Sequence, residues 1–184
     1  MHPQILDKTK AALVVVDIQE GFRNAIPDFA VIASRASTAV SGFQVLGLPV
    51  LVTEQYPKGL GPTAEEIGLV LPDAHETFEK TAFSSCGASP FVDKLNELDV
   101  SQVVICGLET HVCVSQTAHD LIERGFQVHI LSDCVTSRFE YNRLAGLQKM
   151  RRAGAIESSI EMAFFELMRD AKHEQFKEIH ALIK

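Results

Sequence analysis

Short runs of β-branched and apolar residues alternate along this chain with longer stretches in which apolar positions recur every three or four residues. The first run, Ala11–Ile18 (AALVVVDI), is closed by polar residues and predicts a buried strand. Between Asp28 and Leu46 the apolar positions are Phe29, Ile32, Ala33, Ala36, Val40, Phe43 and Leu46. That spacing predicts an amphipathic helix stopped by Gly47. The same alternation predicts strands at Pro49–Thr53, Glu76–Glu79, Gln102–Cys106, Gln127–Leu131 and Ala155–Glu157. Helices are predicted over Pro90–Leu98, Val112–Arg124, Tyr141–Ala153, Ile160–Arg169 and His173–Ile183.

Strand–helix alternation of this kind indicates an α/β fold with a largely parallel sheet. The strands are continuous apolar runs rather than alternating ones, as expected where helices cover both faces of a sheet. In such folds ligands bind beyond the carboxyl ends of the strands, where strand order reverses. The segments to inspect are therefore Asp17–Phe22, Thr53–Gly61, Lys80–Cys86, Gly107–Cys113 and Asp133–Phe139.

Composition narrows the picture. The 184 residues suit one domain, 1–184, and 46% hydrophobic against 22% charged residues excludes a wholly disordered chain. The net charge is −7, with no Lys/Arg cluster longer than Arg151–Arg152, which argues against nucleic acid as a partner. The apolar stretch Ala11–Val16 is too short to span a bilayer, and no secretory signal precedes it. The four cysteines, Cys86, Cys106, Cys113 and Cys134, form no C-x-x-C pair and no zinc-module spacing. They fit free thiols in a reducing compartment, so a cytoplasmic protein is expected.

Three residues at predicted strand ends carry candidate chemistry. Asp17 follows three valines; it is either a turn cap or a semi-buried base. Lys80 alone would be a surface charge. Cys113 alone would be a core residue, but it falls in the first turn of a helix following a strand, where unpaired N–H groups and the helix dipole favour a thiolate and can hold an oxyanion. A base, a cation and a thiol at three strand ends together form a nucleophile constellation.

At these residues the sequence resembles the isochorismatase-like cysteine hydrolase superfamily. The marks are VVVDIQEGF at Val14–Phe22, FEKTAFS at Phe78–Ser84 and GLETHVCVSQTAHDLIERG at Gly107–Gly125. TEQYPKGLGPT at Thr53–Thr63, DCVTSR at Asp133–Arg138, RLAGLQKMRRAGA at Arg143–Ala155 and HEQFKEIHALIK at His173–Lys184 resemble its isochorismatase-domain-containing hydrolase subgroup. The resemblance implies a three-layer α-β-α fold around a six-stranded, mostly parallel sheet, and a homo-oligomer. It places a catalytic triad on Asp17, Lys80 and Cys113, and an oxyanion hole on the N–H groups of Glu109 and Cys113. It also implies a cis peptide between Leu108 and Glu109.

Two departures bear on chemistry. Nicotinamidases of this superfamily carry an Asp–His–His metal cluster after the second strand; here the stretch is Thr53–Pro57, with no histidine until His75, so neither a metal nor another cofactor is expected. The enzymes that cleave isochorismate lack the nucleophilic cysteine, so Cys113 argues against that reaction.

The expected activity is hydrolysis of a small amide or related C–N or acyl compound through a thioester. The alternatives are an idle member binding a metabolite or partner protein, and a redox-sensing thiol protein. The expected pocket is lined by Phe22, Gln55, Tyr56, Phe83 and Leu108, which suit a small, planar, neutral substrate. Phe22 and Phe83 are equally readable as plugs beneath the loops. Arg138 is open to two roles, a substrate carboxylate or a structural ion pair. Cys86 is close enough in sequence to Lys80 to border the pocket or to serve a redox role. His111 and His119 read as structural. Phe164, Phe165 and Met168 read as either core or subunit interface.

Overall fold

In the computed structural model, which describes residues 2 and 4–184, six strands form one parallel sheet. They are β1 (Ala11–Val16), β2 (Val50–Gln55), β3 (Thr77–Lys80), β4 (Gln102–Gly107), β5 (Gln127–Val135) and β6 (Ile156–Ser158). The order is β3-β2-β1-β4-β5-β6, every adjacent pair parallel. Strand order therefore reverses between β1 and β4, which opens a crevice at their carboxyl ends.

The principal helices are α1 (Phe29–Val45), the single turns α2 (Pro57–Leu60) and α3 (Glu65–Gly68), α4 (Ser89–Glu97), α5 (Ser115–Glu123), α6 (Glu140–Arg152), α7 (Ile160–Met168) and α8 (Phe176–Leu182). A π-helical turn, Thr110–Val114, runs directly into α5. Among the described residues no helix is long and apolar enough to cross a membrane.

The valine run of β1 shows how the sheet sorts its side chains. Successive residues face opposite sides. Leu13 and Val15 join a core with α1, α7 and α8, while Ala12, Val14 and Val16 join a second core with α4, α5 and α6. All six β1 residues are buried. In the first core Phe43 packs on Phe164 with ring centroids 6.4 Å apart. That approach requires Gly42, where a Cβ would lie 2.1 Å from the Phe164 ring. Of the residues readable as interface, Phe164 and Met168 belong to this core, and only Phe165 is exposed.

The expected strand Ala11–Ile18 stops two residues early, because Asp17 takes φ 53° and turns the chain out of the sheet. The last helix begins at Phe176 rather than His173, after hydrogen-bonded turns at Asp170–His173 and His173–Phe176. β5 runs four residues past its predicted end.

Far from the crevice, His129 on β5 is fully buried and its Nδ1 has no hydrogen-bond partner among the described residues. Burial lowers its pKa from 6.5 to about 4. A histidine whose folded pKa lies below its unfolded value contributes stability above about pH 6.5 and loses it as pH falls towards 4. His129→Leu is expected to flatten the fall in chemical-denaturation stability across that window. A wild-type slope in the variant would show that His129 is not the group responsible.

Candidate active site

Asp17, Lys80 and Cys113 lie at or beyond the carboxyl ends of β1, β3 and β4. Asp17 follows β1 and is fully buried, and its carboxylate is held on both oxygens. Lys80 Nζ donates to Oδ2 at 2.5 Å, and Thr53 Oγ1 on β2 donates to Oδ1 at 2.9 Å. Lys80 closes β3, and its side chain is as buried as that of its partner. Its ammonium also donates to Gln55 Oε1 at 2.9 Å and to the carbonyls of Phe83 and Ala82 at 3.0 and 3.3 Å. The carbonyls come from the loop just after β3, so the ammonium ties that loop to the base of the crevice.

Gln55 is itself oriented by Gln19, whose amide oxygen accepts the Gln55 N–H at 2.7 Å and whose amide NH₂ donates to the Gln55 and Gly61 carbonyls. Buried polar groups need partners, and this arrangement supplies them to a charge pair withdrawn from water.

Cys113 follows β4 on the π-helical turn, 6% exposed. The chain leaves β4 at Gly107, φ 147°, where a Cβ would lie 2.3 Å from the Val16 carbonyl oxygen. No other residue type fits so close an approach between β1 and β4. The turn places the Cys113 thiol against Asp17. Burial first, then the Asp17 charge and a hydrogen bond to Asp17, push the Cys113 pKa up to about 12, with Lys80 opposing. The resting sulfur is therefore a neutral thiol. The thiolate expected from the helix dipole is not favoured, because desolvation and the facing carboxylate outweigh the dipole.

The Leu108–Glu109 peptide is trans, as is every peptide among the described residues. The expected cis bond is unnecessary here. Gly107 absorbs the change in chain direction, and trans geometry lets Leu108 N–H bond the Val16 carbonyl at 2.9 Å and Thr110 N–H bond the Thr136 carbonyl at 2.9 Å. The Glu109 N–H, between them, bonds no described residue. The Glu109 carboxylate accepts from the Arg138 N–H and Nε at 3.1 and 3.0 Å. Arg138 thus forms the structural ion pair, one of its two open readings.

The expected pocket lining is only partly assembled. Gln55 lies in the crevice on Lys80. Tyr56 and Phe83 are each 54% exposed on loops beside it. Tyr56 takes φ 37°, and its ring lies over Gly59, where a Cβ would be 2.7 Å away. It borders a surface cavity of about 430 Å³ with Pro57, Lys58, Glu79, Lys80, Thr81 and Gly87. Leu108 does not line the crevice. It is fully buried in the first core, because its position after Gly107 points it beneath the sheet. Phe22 is half-buried and packs against that same core, as a plug would.

Cys86 is a free thiol buried in the second core, its pKa raised by burial. His111 pairs with Ser137 Oγ at 3.1 Å and His119 with the Ser115 carbonyl at 2.6 Å, both within the scaffold. Among the described residues no three His, Cys, Asp or Glu side chains stand together as a metal-holding group. The sequence reading overlooked Thr53, Ser85 and Thr117. They are small polar residues on three different elements, and only the fold shows that they meet.

Comparison with known proteins places these features in a family context. The Isochorismatase domain family matches residues 11–162. The chain is similar to isochorismatase domain-containing protein 2 of Danio rerio, 39% identical over 173 residues, 94% of this chain and 86% of that protein. Its fold is similar to that of the MAR1 ribonuclease from Caenorhabditis elegans, with a TM-score of 0.92 and 38% identity, covering 97% of this chain and 92% of the other. It is also similar to the YcaC gene product of Escherichia coli, described as an octameric hydrolase of unknown specificity. There the TM-score is 0.88 and the identity 26%, covering 97% and 89% of the two chains.

Proposed function

The chain belongs to the isochorismatase family, and on that premise we propose that it is a cysteine hydrolase acting on a small amide or related acyl compound through Asp17, Lys80 and Cys113. The observation that carries this reading is the buried Asp17–Lys80 ion pair at the β1/β4 switch point, set against the Cys113 thiol. Family membership supports hydrolase activity.

In the proposed reaction Asp17 takes the thiol proton of Cys113 as the sulfur attacks the substrate carbonyl. The proton leaves the sulfur only as the C–S bond forms, which suits a resting thiol with a pKa of about 12. Lys80 stays charged and balances the carboxylate before and after. The Glu109 and Cys113 N–H groups receive the oxyanion, a contribution of about 3–4 kcal/mol per donor in other enzymes. Protonated Asp17 gives its proton to the departing amine. Water then attacks the thioester, Asp17 takes a proton from it, and Cys113 leaves as the thiol after that proton returns.

A nucleophile that is a neutral thiol at rest weighs against the redox-sensing alternative, which needs thiolate at neutral pH. The nematode relative is named a ribonuclease. Here a net charge of −7 without a basic cluster gives a polyanion no purchase, and a small uncharged substrate fits the crevice better.

A screen of small amides, ureido acids and esters against the purified protein, with Cys113→Ala as control, tests the reading. Turnover that survives in the control would sink it. We further propose a homo-oligomer, as for the octameric relative. Met162 and Phe165 on α7, and the stacked, exposed Phe139 and Tyr141, offer apolar contact surface. A light-scattering mass equal to one chain would refute it.

A further inference from the structure

Lys80 accounts for one oxygen of Asp17; the other leads into a chain of hydroxyls. Thr53 Oγ1 donates to Asp17 Oδ1 at 2.9 Å, and Ser85 Oγ lies 3.3 Å behind it. Thr117 Oγ1 donates to Ser85 Oγ at 3.2 Å and accepts the Ser85 N–H at 2.9 Å. All three residues are fully buried.

Donor and acceptor counting fixes the direction of this chain. An ionised carboxylate only accepts, so the Thr53 proton is committed to Asp17. Ser85 Oγ accepts from Thr117, which leaves its own proton for Thr53. Thr117 is in turn held by a backbone N–H that cannot reverse. Every proton therefore points towards Asp17, and hydrogen bonds aligned head to tail strengthen one another.

The chain also spans the segments that build the site. Thr53 is on β2 and Ser85 opens the turn Ser85–Gly87 after Lys80. Thr117 is on α5, four residues beyond Cys113.

We propose that Thr53, backed by Ser85 and Thr117, is a positioning residue that fixes the Asp17 carboxylate and sets how readily it takes the Cys113 proton. The proposal rests on the reading of Asp17 as the base. The charged and titratable groups facing Asp17 are Lys80 from β3 and Cys113 from the π-helical turn, with Glu109 beyond the thiol. Thr53, Ser85 and Thr117 are uncharged, so they act by hydrogen bonding alone. A hydrogen bond given to the carboxylate favours its ionised form, so losing it makes the base easier to protonate. The plain alternative is that three buried hydroxyls merely satisfy one another. That role would show in stability and leave proton transfer untouched.

The test reads Cys113 directly and needs no substrate. Iodoacetamide alkylation of Cys113 is followed by mass spectrometry between about pH 4 and 8, in the range where carboxylate titration shapes the profile. Asp17→Asn is expected to erase the acid limb and flatten the pH dependence of alkylation, because the carboxyl that would titrate there is gone. Thr53→Val is expected to move the acid limb up by about one pH unit, as loss of one charge-assisted hydrogen bond implies. Thr53→Ser is expected to restore the wild-type profile and Ser85→Ala to shift the limb by less. If Thr53→Val fails to fold, Ser85→Ala reads the same limb with Thr53 in place. A wild-type profile in Thr53→Val or, failing that, in Ser85→Ala, alongside a flattened one in Asp17→Asn, overturns the positioning role and spares the base. A wild-type profile in Asp17→Asn overturns both.

Discussion

Cys113→Ser is expected to lower turnover of any amide or ester substrate by a factor on the order of 10³ or more while leaving the far-ultraviolet circular dichroism unchanged. The substitution changes one atom in a position that is 6% exposed and belongs to the second core, so that core keeps its shape. What changes is the nucleophile. A serine hydroxyl is harder to deprotonate than a thiol, and the base facing it is a carboxylate rather than an imidazole. The proposed oxyanion donors, the N–H groups of Glu109 and residue 113, remain, so residual rate over solution is expected. Steady-state rates on a substrate from the amide screen decide the matter. Near-wild-type turnover in Cys113→Ser would remove the covalent thioester from the scheme.

Lys80→Met is expected to cost the fold about 3–5 kcal/mol, read as a lowered midpoint in urea. Its side chain and that of Asp17 are both withdrawn from water, and the ammonium has four acceptors within 3.3 Å. Methionine fills a similar volume but leaves the Asp17 charge buried without a counter-ion, and the Ala82–Phe83 loop without its tie. Adding Asp17→Asn to Lys80→Met is expected to recover much of that loss, since the stranded charge is then gone, while turnover stays abolished. Lys80→Met as stable as wild type would mean that water reaches the carboxylate and that the ion pair is a surface one.

The fold was largely legible because burial writes itself into periodicity. All six strands and the longer helices fall within a few residues of their predicted places. A continuous run such as AALVVV has one economical solution, a parallel strand covered on both faces. The ends of elements were less legible. Asp17 breaks β1 through a positive φ that no hydropathy pattern encodes. The π-helical turn before α5 carries residues that an ordinary first turn would also accept, so the sequence pattern does not distinguish it.

Of the candidate site, Asp17, Lys80 and Cys113 stood out at predicted strand ends only in combination and through the family resemblance, and the fold pairs Asp17 with Lys80 close to the Cys113 thiol. Leu108 could not be placed, because one residue of offset after Gly107 decides between cleft and core. The hydroxyls of Thr53, Ser85 and Thr117 were invisible for a different reason. Single threonines and serines are common along the chain, and their meeting is a property of three elements at once.

The reversal of strand order between β1 and β4 has a kinetic corollary. The residues gathered at the crevice come from positions 17, 53, 80, 85, 113 and 117, so neither half of the sheet alone contains a working set. Contacts between such distant stretches form late, after much loop-closure entropy has been surrendered. A refolding chain would therefore regain its secondary structure before it regains the proposed hydrolysis, with activity returning only as the two halves dock.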